Sequence, residues 1–412
     1  MIERGDAERL DAADPLAPFR ERFVLGDPET LYLDGNSLGR LPLATRQALH
    51  ERIDQWGAQL VAGWHEWIDI PQRAGDVLAE AVLGARPGEV IVADSTTVNL
   101  YKLASAVLTR REGAIITDRG NFPTDRYVLE GLARRHGREL ILFDADPLTG
   151  PQAADIAHAS AGRHVALVSL SHVAYRSGAL ADAEYMTQQA PAPLIWDLSH
   201  SAGAVSIELD DWGVELAVGC TYKYLNAGPG APAYLYIGAD LQEEVRTPIQ
   251  GWFGQREQFD MERPYEPEPG IRGWLAGTPS ILATTAVEQG ARLVSEAGRQ
   301  AIGAKAGALT GFAIELIDEQ LTPLGFELGT PRDPDRRGAH VSLRHGEAWP
   351  ITRALIERAR VIPDFRGPDA IRLGLPPLYT RFADVHEATT RLRELVERGE
   401  HREMDAAPGR IT

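Results

Sequence analysis

Lys223 stands in the stretch "GCTYKYLNAGPG", Gly219 to Gly230, between two tyrosines and just ahead of a glycine- and proline-rich loop. Lysine is scarce in this chain: it occurs only at Lys102, Lys223 and Lys305, and the rest of the 42 Lys+Arg residues are arginine. A lysine amine condenses with an aldehyde to a stable imine, and it becomes a nucleophile where its surroundings lower its pKa. The apolar run "ELAVGC" predicts a strand ending close to Lys223, and Asn226, Gly228 and Pro229 after it break regular structure. Lys102 and Lys305 fall at ordinary helix positions, where a lysine is expected to project into solvent.

A second group makes that chemistry specific. Asp197 ends the apolar run "APLIW" and precedes His200 by three residues in "LIWDLSHSAGA". A carboxylate at such a strand end is costly unless it meets a cation. A protonated pyridine nitrogen would supply one, as in enzymes that use pyridoxal phosphate (PLP), where the acid keeps the ring able to accept carbanion electrons. The D-x-x-H spacing alone reads equally as a metal pair or a helix-capping aspartate. Lys223 favours the cofactor reading, because the intervening segment has room for one helix and one strand, bringing both groups to the same edge of a parallel sheet.

Other residues could complete such a site. Thr96 and Thr97 in "ADSTTVNLYKL" directly precede a helix whose unpaired N–H groups and dipole favour a phosphate, or they cap that helix. Phe122 in "GNFPTDRY" offers an aromatic face, or packs its loop, and Asp125 lies close by. Arg372 in "AIRLGLPPLYTRF" could clamp a carboxylate bidentately, or form a surface ion pair. "GPGAPA" from Gly228 has dinucleotide-site spacing, but Pro229 and Pro232 stand where a helix should open. "WHEW", Trp64 to Trp67, lacks the second histidine of a zinc protease, and Trp64 lines a pocket or packs in the core.

Short apolar runs alternating with helix-like segments predict an α/β chain with a mostly parallel sheet, which gathers function at the carboxyl ends of its strands. After Gly290 a helix-rich stretch and short strands predict a smaller α+β domain. The boundaries expected are an N-terminal arm over 1–45, a large domain over 46–290 and a small one over 291–412. The net charge of −17 disfavours nucleic acid and anionic membranes as partners. A single cysteine, Cys220, excludes an internal disulfide and any multi-cysteine metal site, and fits a cytoplasmic setting. The charged N-terminus and the lack of a long apolar run predict neither secretion nor membrane anchoring.

Taken together, nine stretches in order resemble kynureninases. They are "LYLDGNSLGRLP", "DSTTVNLYKL", "NFPTD", "SHVAYRSG", "WDLSHSAGA", "GCTYKYLNAGPG", "GWFG", "GTPSI" and "RLGLPPLYTRF". The resemblance implies the fold-type I PLP architecture and hydrolysis of L-kynurenine, or a ring-substituted analogue, to an anthranilate and L-alanine, within tryptophan catabolism. It further implies that Lys223 anchors the cofactor and serves as base, Asp197 meets the pyridine nitrogen, and Phe122 stacks on the ring. Thr96, Thr97, Asp125, Ser171, His200 and Tyr222 would complete the cofactor shell, with Tyr222 as a proton donor and Arg372 on the substrate carboxylate. Trp252 and Thr278 would reach the cofactor of a neighbouring subunit in a homodimer. Trp64, His65 and Thr278 are candidates for the aryl pocket. Two related activities fit less well. A desulfurase needs a cysteine on a mobile loop, whereas Cys220 sits in an apolar run, and an aminotransferase needs a 2-oxo acid co-substrate. A silent binding protein would not need Lys223 and Asp197 intact.

Overall fold

In the computed structural model, which describes residues 2–404, the apolar runs become strands that feed two different cores. A short first strand, β1 (Leu31–Tyr32), precedes a seven-stranded sheet. That sheet comprises β2 (Val90–Val92), β3 (Ala114–Asp118), β4 (Leu140–Phe143), β5 (Val165–Ser171), β6 (Leu194–Asp197), β7 (Leu216–Gly219) and β8 (Tyr234–Ile237). Its order is β2-β8-β7-β6-β5-β3-β4, with every strand parallel except β8, which opposes both β2 and β7.

Side chains alternate across a strand, so a sheet covered on both faces needs apolar residues at successive positions. Val90, Leu194, Trp196, Tyr234 and Tyr236 enter one core, while Ile91, Ile195, Leu235 and Ile237 enter the other. Helices Ile70–Leu78 and Ile281–Ala297 cover the first face; Thr96–Leu108 and Pro123–His136 cover the second. Each fully buried aliphatic side chain contributes about 1.5–3 kcal/mol. The expected helix between Asp197 and Lys223 is absent: residues 198–213 run through turns before β7. The backbone at Gly203 (φ +80°) lies against Tyr224 and Leu225, a path that a regular helix does not follow.

A third core lies against a four-stranded antiparallel sheet. Its strands are β9 (Glu327–Leu328), β10 (His340–Arg344), β12 (Asp364–Arg366) and β13 (Ala370–Gly374); β11 (Val361–Ile362) instead pairs in parallel with β1. Ala7, Leu31 and Leu33 join this core. The helix Arg299–Gln320 bridges the cores, with Ile302 in the first and Leu309, Leu316 and Ile317 in the third.

The two other lysines do not project into solvent. Lys102 is 0% exposed, with Nζ 2.8 Å from Asp94 Oδ2 and bonded to the Trp274 carbonyl. Lys305 is 7% exposed, with Nζ 2.6 Å from Asp14 Oδ2. Each lies on a helix enclosed by segments distant in the chain, Trp274 for Lys102 and Asp14 for Lys305, and each buried ammonium has a carboxylate partner, as burial of charge requires.

The segment after β1 crosses to the loop that carries Lys223. Gly39 N–H donates to Tyr222 O at 2.8 Å, and a Cβ at Gly39 would lie 2.3 Å from Lys223 O, so only glycine permits the approach. Within this segment burial, reinforced by the nearby Asp364 charge, pushes the Asp34 carboxyl up to about 6. Between its ordinary value of 3.8 and about 6 the native chain therefore binds more protons than the unfolded one and loses stability as pH rises. Asp34→Asn is expected to raise stability by about 1–3 kcal/mol above pH 7 and by progressively less toward pH 4. Thermal melts of both proteins across that range check it, and a gain independent of pH refutes it.

Candidate active site

The carboxyl edge of the parallel strands gathers a cleft. Asp197 closes β6, opposite Ser171 of β5 on one side and Val218 of β7 on the other. The chain leaving β7 turns through Tyr222 and Lys223, and Asn226 in a left-handed conformation (φ +56°) brings its N–H to Lys223 O at 3.0 Å. Helix Thr96–Leu108 begins just beyond β2, and helix Pro123–His136 just beyond β3. The result is one cavity lined by Thr96, Thr97, Phe122, Asp125, Ser171, Asp197, His200, Tyr222 and Lys223, together with Ser95, Thr124, Tyr175 and Ser199.

Within it Lys223 Nζ lies 2.9 Å from His200 Nε2 and 5.9 Å from the ring centres of Phe122 and Tyr222. Burial, and then the Lys223 charge, hold the His200 imidazole well below its ordinary range, so it is neutral. Burial and the Asp197 charge beside it hold the Asp125 carboxyl well above the usual carboxylate range, so Asp125 keeps its proton. Ser199 N–H donates to Asp197 Oδ1 at 2.8 Å. Burial, reinforced by Cys220, also raises the Tyr222 phenol, which stays a proton donor through the neutral range. Ser171 Oγ donates to Asn121 Oδ1 at 2.6 Å, and the same oxygen accepts from Phe122 N–H at 2.8 Å, setting the Phe122 loop.

The cap of helix Thr96–Leu108 is Ser95, whose Oγ accepts from Val98 N–H at 3.3 Å. This leaves the N–H groups of Thr96 and Thr97 without an intrahelical acceptor at the positive end of the dipole. His200 Nδ1 is buried without a hydrogen-bond partner among the described residues. Anion donors at one end, a lysine amine in the middle and a buried carboxyl pair at the other form a donor set that fits PLP.

Five expected residues lie elsewhere. Arg372, 1% exposed on β13, does not line the cavity. Its Nε is 2.8 Å from Asp364 Oδ2 and its Nη1 bonds the carbonyl of Tyr175, whose ring meets Phe122 edge-on at 5.3 Å. It is thus neither a surface ion pair nor an open clamp. Trp252 is 40% exposed and Thr278 is exposed on a separate surface hollow with Asp94 and Gly230. Trp64 packs on Trp67 and Phe253 at 5.7 Å each, while His65 is exposed.

The chain is 41% identical over 413 residues to the kynureninase of Pseudomonas fluorescens, covering 97% of this chain and 96% of that one. The chain belongs to the kynureninase family. It is also 39% identical over 411 residues to the kynureninase of Burkholderia pseudomallei strain K96243, with 96% of each covered. Residues 302–392 match the family described as the kynureninase C-terminal domain. Among solved structures, the apo cysteine desulfurase of Thermococcus onnurineus NA1 superposes with a TM-score of 0.79 at 18% identity, covering 92% of this chain and 98% of that one. A C-DES variant with glycine covalently linked to the PLP cofactor gives 0.79 at 18%, covering 91% and 99%. These likenesses speak to the fold, which is the fold-type I PLP architecture.

A kynureninase needs no thiol nucleophile, and here none is offered: Cys220 is 4% exposed, Sγ lies 3.7 Å from Ser199 O, and burial holds the thiol protonated. Sequence reasoning missed Ser95, although a serine ahead of "TTVNL" is a helix-cap signal. It also missed Tyr175, for which "SHVAYRSG" carries no local cue.

Lys223→Ala is expected to abolish the absorbance of the cofactor–protein imine and to lower turnover by at least about a thousandfold, with the far-ultraviolet circular dichroism unchanged. A borohydride-reducible linkage surviving in that variant would remove Lys223 from the chemistry.

Proposed function

We propose that this chain hydrolyses L-kynurenine, or 3-hydroxykynurenine, at the Cβ–Cγ bond, releasing anthranilate or 3-hydroxyanthranilate together with L-alanine. The observation that carries the reading is the Lys223 amine, 2.9 Å from a neutral His200 in a cleft that also holds Asp125 and Asp197, in a chain of this family. The chemistry that PLP supplies when bound is an aldehyde that condenses with amines and a pyridinium ring that stores the electron pair released at Cα.

The protein groups divide the remaining work. Lys223 Nζ anchors the cofactor and, once released, takes the Cα proton. His200 Nε2 orients that amine. Asp197 meets the ring cation, and Asp125, by keeping its proton, prevents the pair from carrying two charges in a buried site. Thr96 and Thr97 seat the phosphate, Phe122 covers the ring, and Ser171 fixes the Phe122 loop through Asn121. Tyr222 Oη gives a proton as charge develops on the departing fragment. Arg372, tied to Asp364 and to the carbonyl of the cleft residue Tyr175, would meet the α-carboxylate once its Nη1 leaves that carbonyl.

We read the active unit as a homodimer whose partner supplies Trp252 and Thr278. The support is that both are exposed and neither lines the cleft of its own chain. For the division into 1–45, 46–290 and 291–412 the support is the separate C-terminal core, which Ala7, Leu31 and Leu33 join; the cut after 290 nevertheless falls within helix Ile281–Ala297, whose Ala291, Leu293 and Val294 lie in the first core, as do Leu16 and Phe23 of the arm. Among the described residues no helix is long and apolar enough to cross a membrane. With Cys220 buried as a free thiol, we read the setting as cytoplasmic and the pathway as tryptophan catabolism leading toward NAD.

Mass spectrometry after parallel incubation with kynurenine and 3-hydroxykynurenine is expected to find alanine plus the matching anthranilate from at least one of them. Alanine formation dependent on an added 2-oxo acid, or no cleavage of either compound, defeats the proposal. Mixing inactive Lys223→Ala and Trp252→Ala dimers under exchange conditions is expected to restore about a quarter of wild-type activity, because each hybrid holds one intact site. No recovery despite hybrid formation would show that Trp252 serves its own chain or no site.

A further inference from the structure

We propose that Lys102 is a positioning residue for the phosphate end of the cofactor site, acting through Asp94: its buried ammonium cancels the charge of the carboxylate that stands just ahead of the donors of Ser95, Thr96 and Thr97. The inference rests on the reading that the phosphate of PLP seats at the start of helix Thr96–Leu108.

The pair is asymmetric. Lys102 is fully enclosed, while the Asp94 side chain is 29% exposed, two residues ahead of Thr96. Asp94 has a left-handed backbone (φ +49°), a conformation a non-glycine residue keeps only where its surroundings enforce it. Those surroundings are visible. Lys102 Nζ lies 2.8 Å from Asp94 Oδ2 and also bonds the Trp274 carbonyl, while Asp94 O accepts from Ala233 N–H at 3.0 Å. Ala233 itself lines the cleft. From this turn the backbone enters Ser95 in an extended conformation (φ −117°), as the cap requires, and the next two N–H groups are left without an intrahelical acceptor.

Charge gives the pair its consequence. Among the described residues, the only basic ones lining the cleft are His200 and Lys223. His200 is neutral and Lys223 is committed to the aldehyde, so the phosphate is met by neutral hydroxyls, N–H groups and the helix dipole. A phosphate carries a charge of about −1.5 to −2 near neutral pH, and an uncompensated carboxylate two residues from its seat would repel it. Lys102 removes that repulsion without entering the site.

The test compares binding of PLP with binding of pyridoxal, which lacks the phosphate, to the apo forms of wild type and variants, followed by absorbance. Lys102→Met is expected to weaken PLP at least about tenfold and pyridoxal less than about threefold. Adding Asp94→Asn to it is expected to return PLP to within about threefold of wild type, because both charges are then gone. Equal weakening of the two ligands would mark a merely structural role and overturn the inference, as would unchanged PLP binding. If Lys102→Met alone does not fold, the double variant decides: wild-type preference for PLP over pyridoxal upholds the charge-cancelling role, and loss of that preference overturns it. Thr96→Ala/Thr97→Ala serves as control. If it weakens PLP selectively while Lys102→Met does not, only the role of Lys102 falls; if it weakens neither ligand selectively, the phosphate reading falls first.

Discussion

The parallel pairing of β5, β6 and β7 is the constraint on which the rest of this structure depends. Its register sets Ser171 beside Asp197 and Asp197 beside Val218, so the chain leaving β7 has only a short turn in which to bring Lys223 to the carboxylate. Because these strands are apolar on both faces, a slip by one residue would send each core's side chains to the other and carry Asp197 away from the edge. Hydrophobic burial on two faces thereby fixes a polar constellation that has no comparable driving force of its own.

The site is built from charges that have been taken out of water and reduced in number. Asp125 keeps a proton beside Asp197, His200 is neutral beside Lys223, and the Cys220 thiol is protonated. Farther out, Lys102 meets Asp94, Lys305 meets Asp14 and Arg372 meets Asp364. A buried charge without a partner is expensive, and these pairings leave the lysine amine and the acid pair as the groups able to answer a cationic ring and an aldehyde.

The cores are joined beside the site as well as through helix Arg299–Gln320. Segment 34–39 runs from the strand pair β1–β11 onto the Lys223 loop, where Gly39 admits close backbone contact. Arg372 on β13 reaches the carbonyl of Tyr175, whose ring meets Phe122. The smaller sheet and the segment after β1 therefore touch the residues around the cofactor position through two short connections.

The sequence by itself determined the α/β class, because runs such as "VALVSLS" and "APLIW" between helical stretches can be buried on both faces only in a covered parallel sheet. It also singled out the central residues, since a rare lysine at a strand end and an acid at another narrow the options, and Thr96, Thr97 and Phe122 belong to local strand–turn–helix patterns. It could not disclose the turns replacing a helix after Asp197, or the enclosure of Lys102 and Lys305, because these follow from contacts with segments distant in the chain. Tertiary structure alone decided that Arg372 is tied to Asp364 and Tyr175 and that Trp252 and Thr278 stand outside their own chain's cleft. The physical reason is range: periodicity and capping act over a few residues, whereas the partner of a buried charge is whatever side chain the packed fold brings to it.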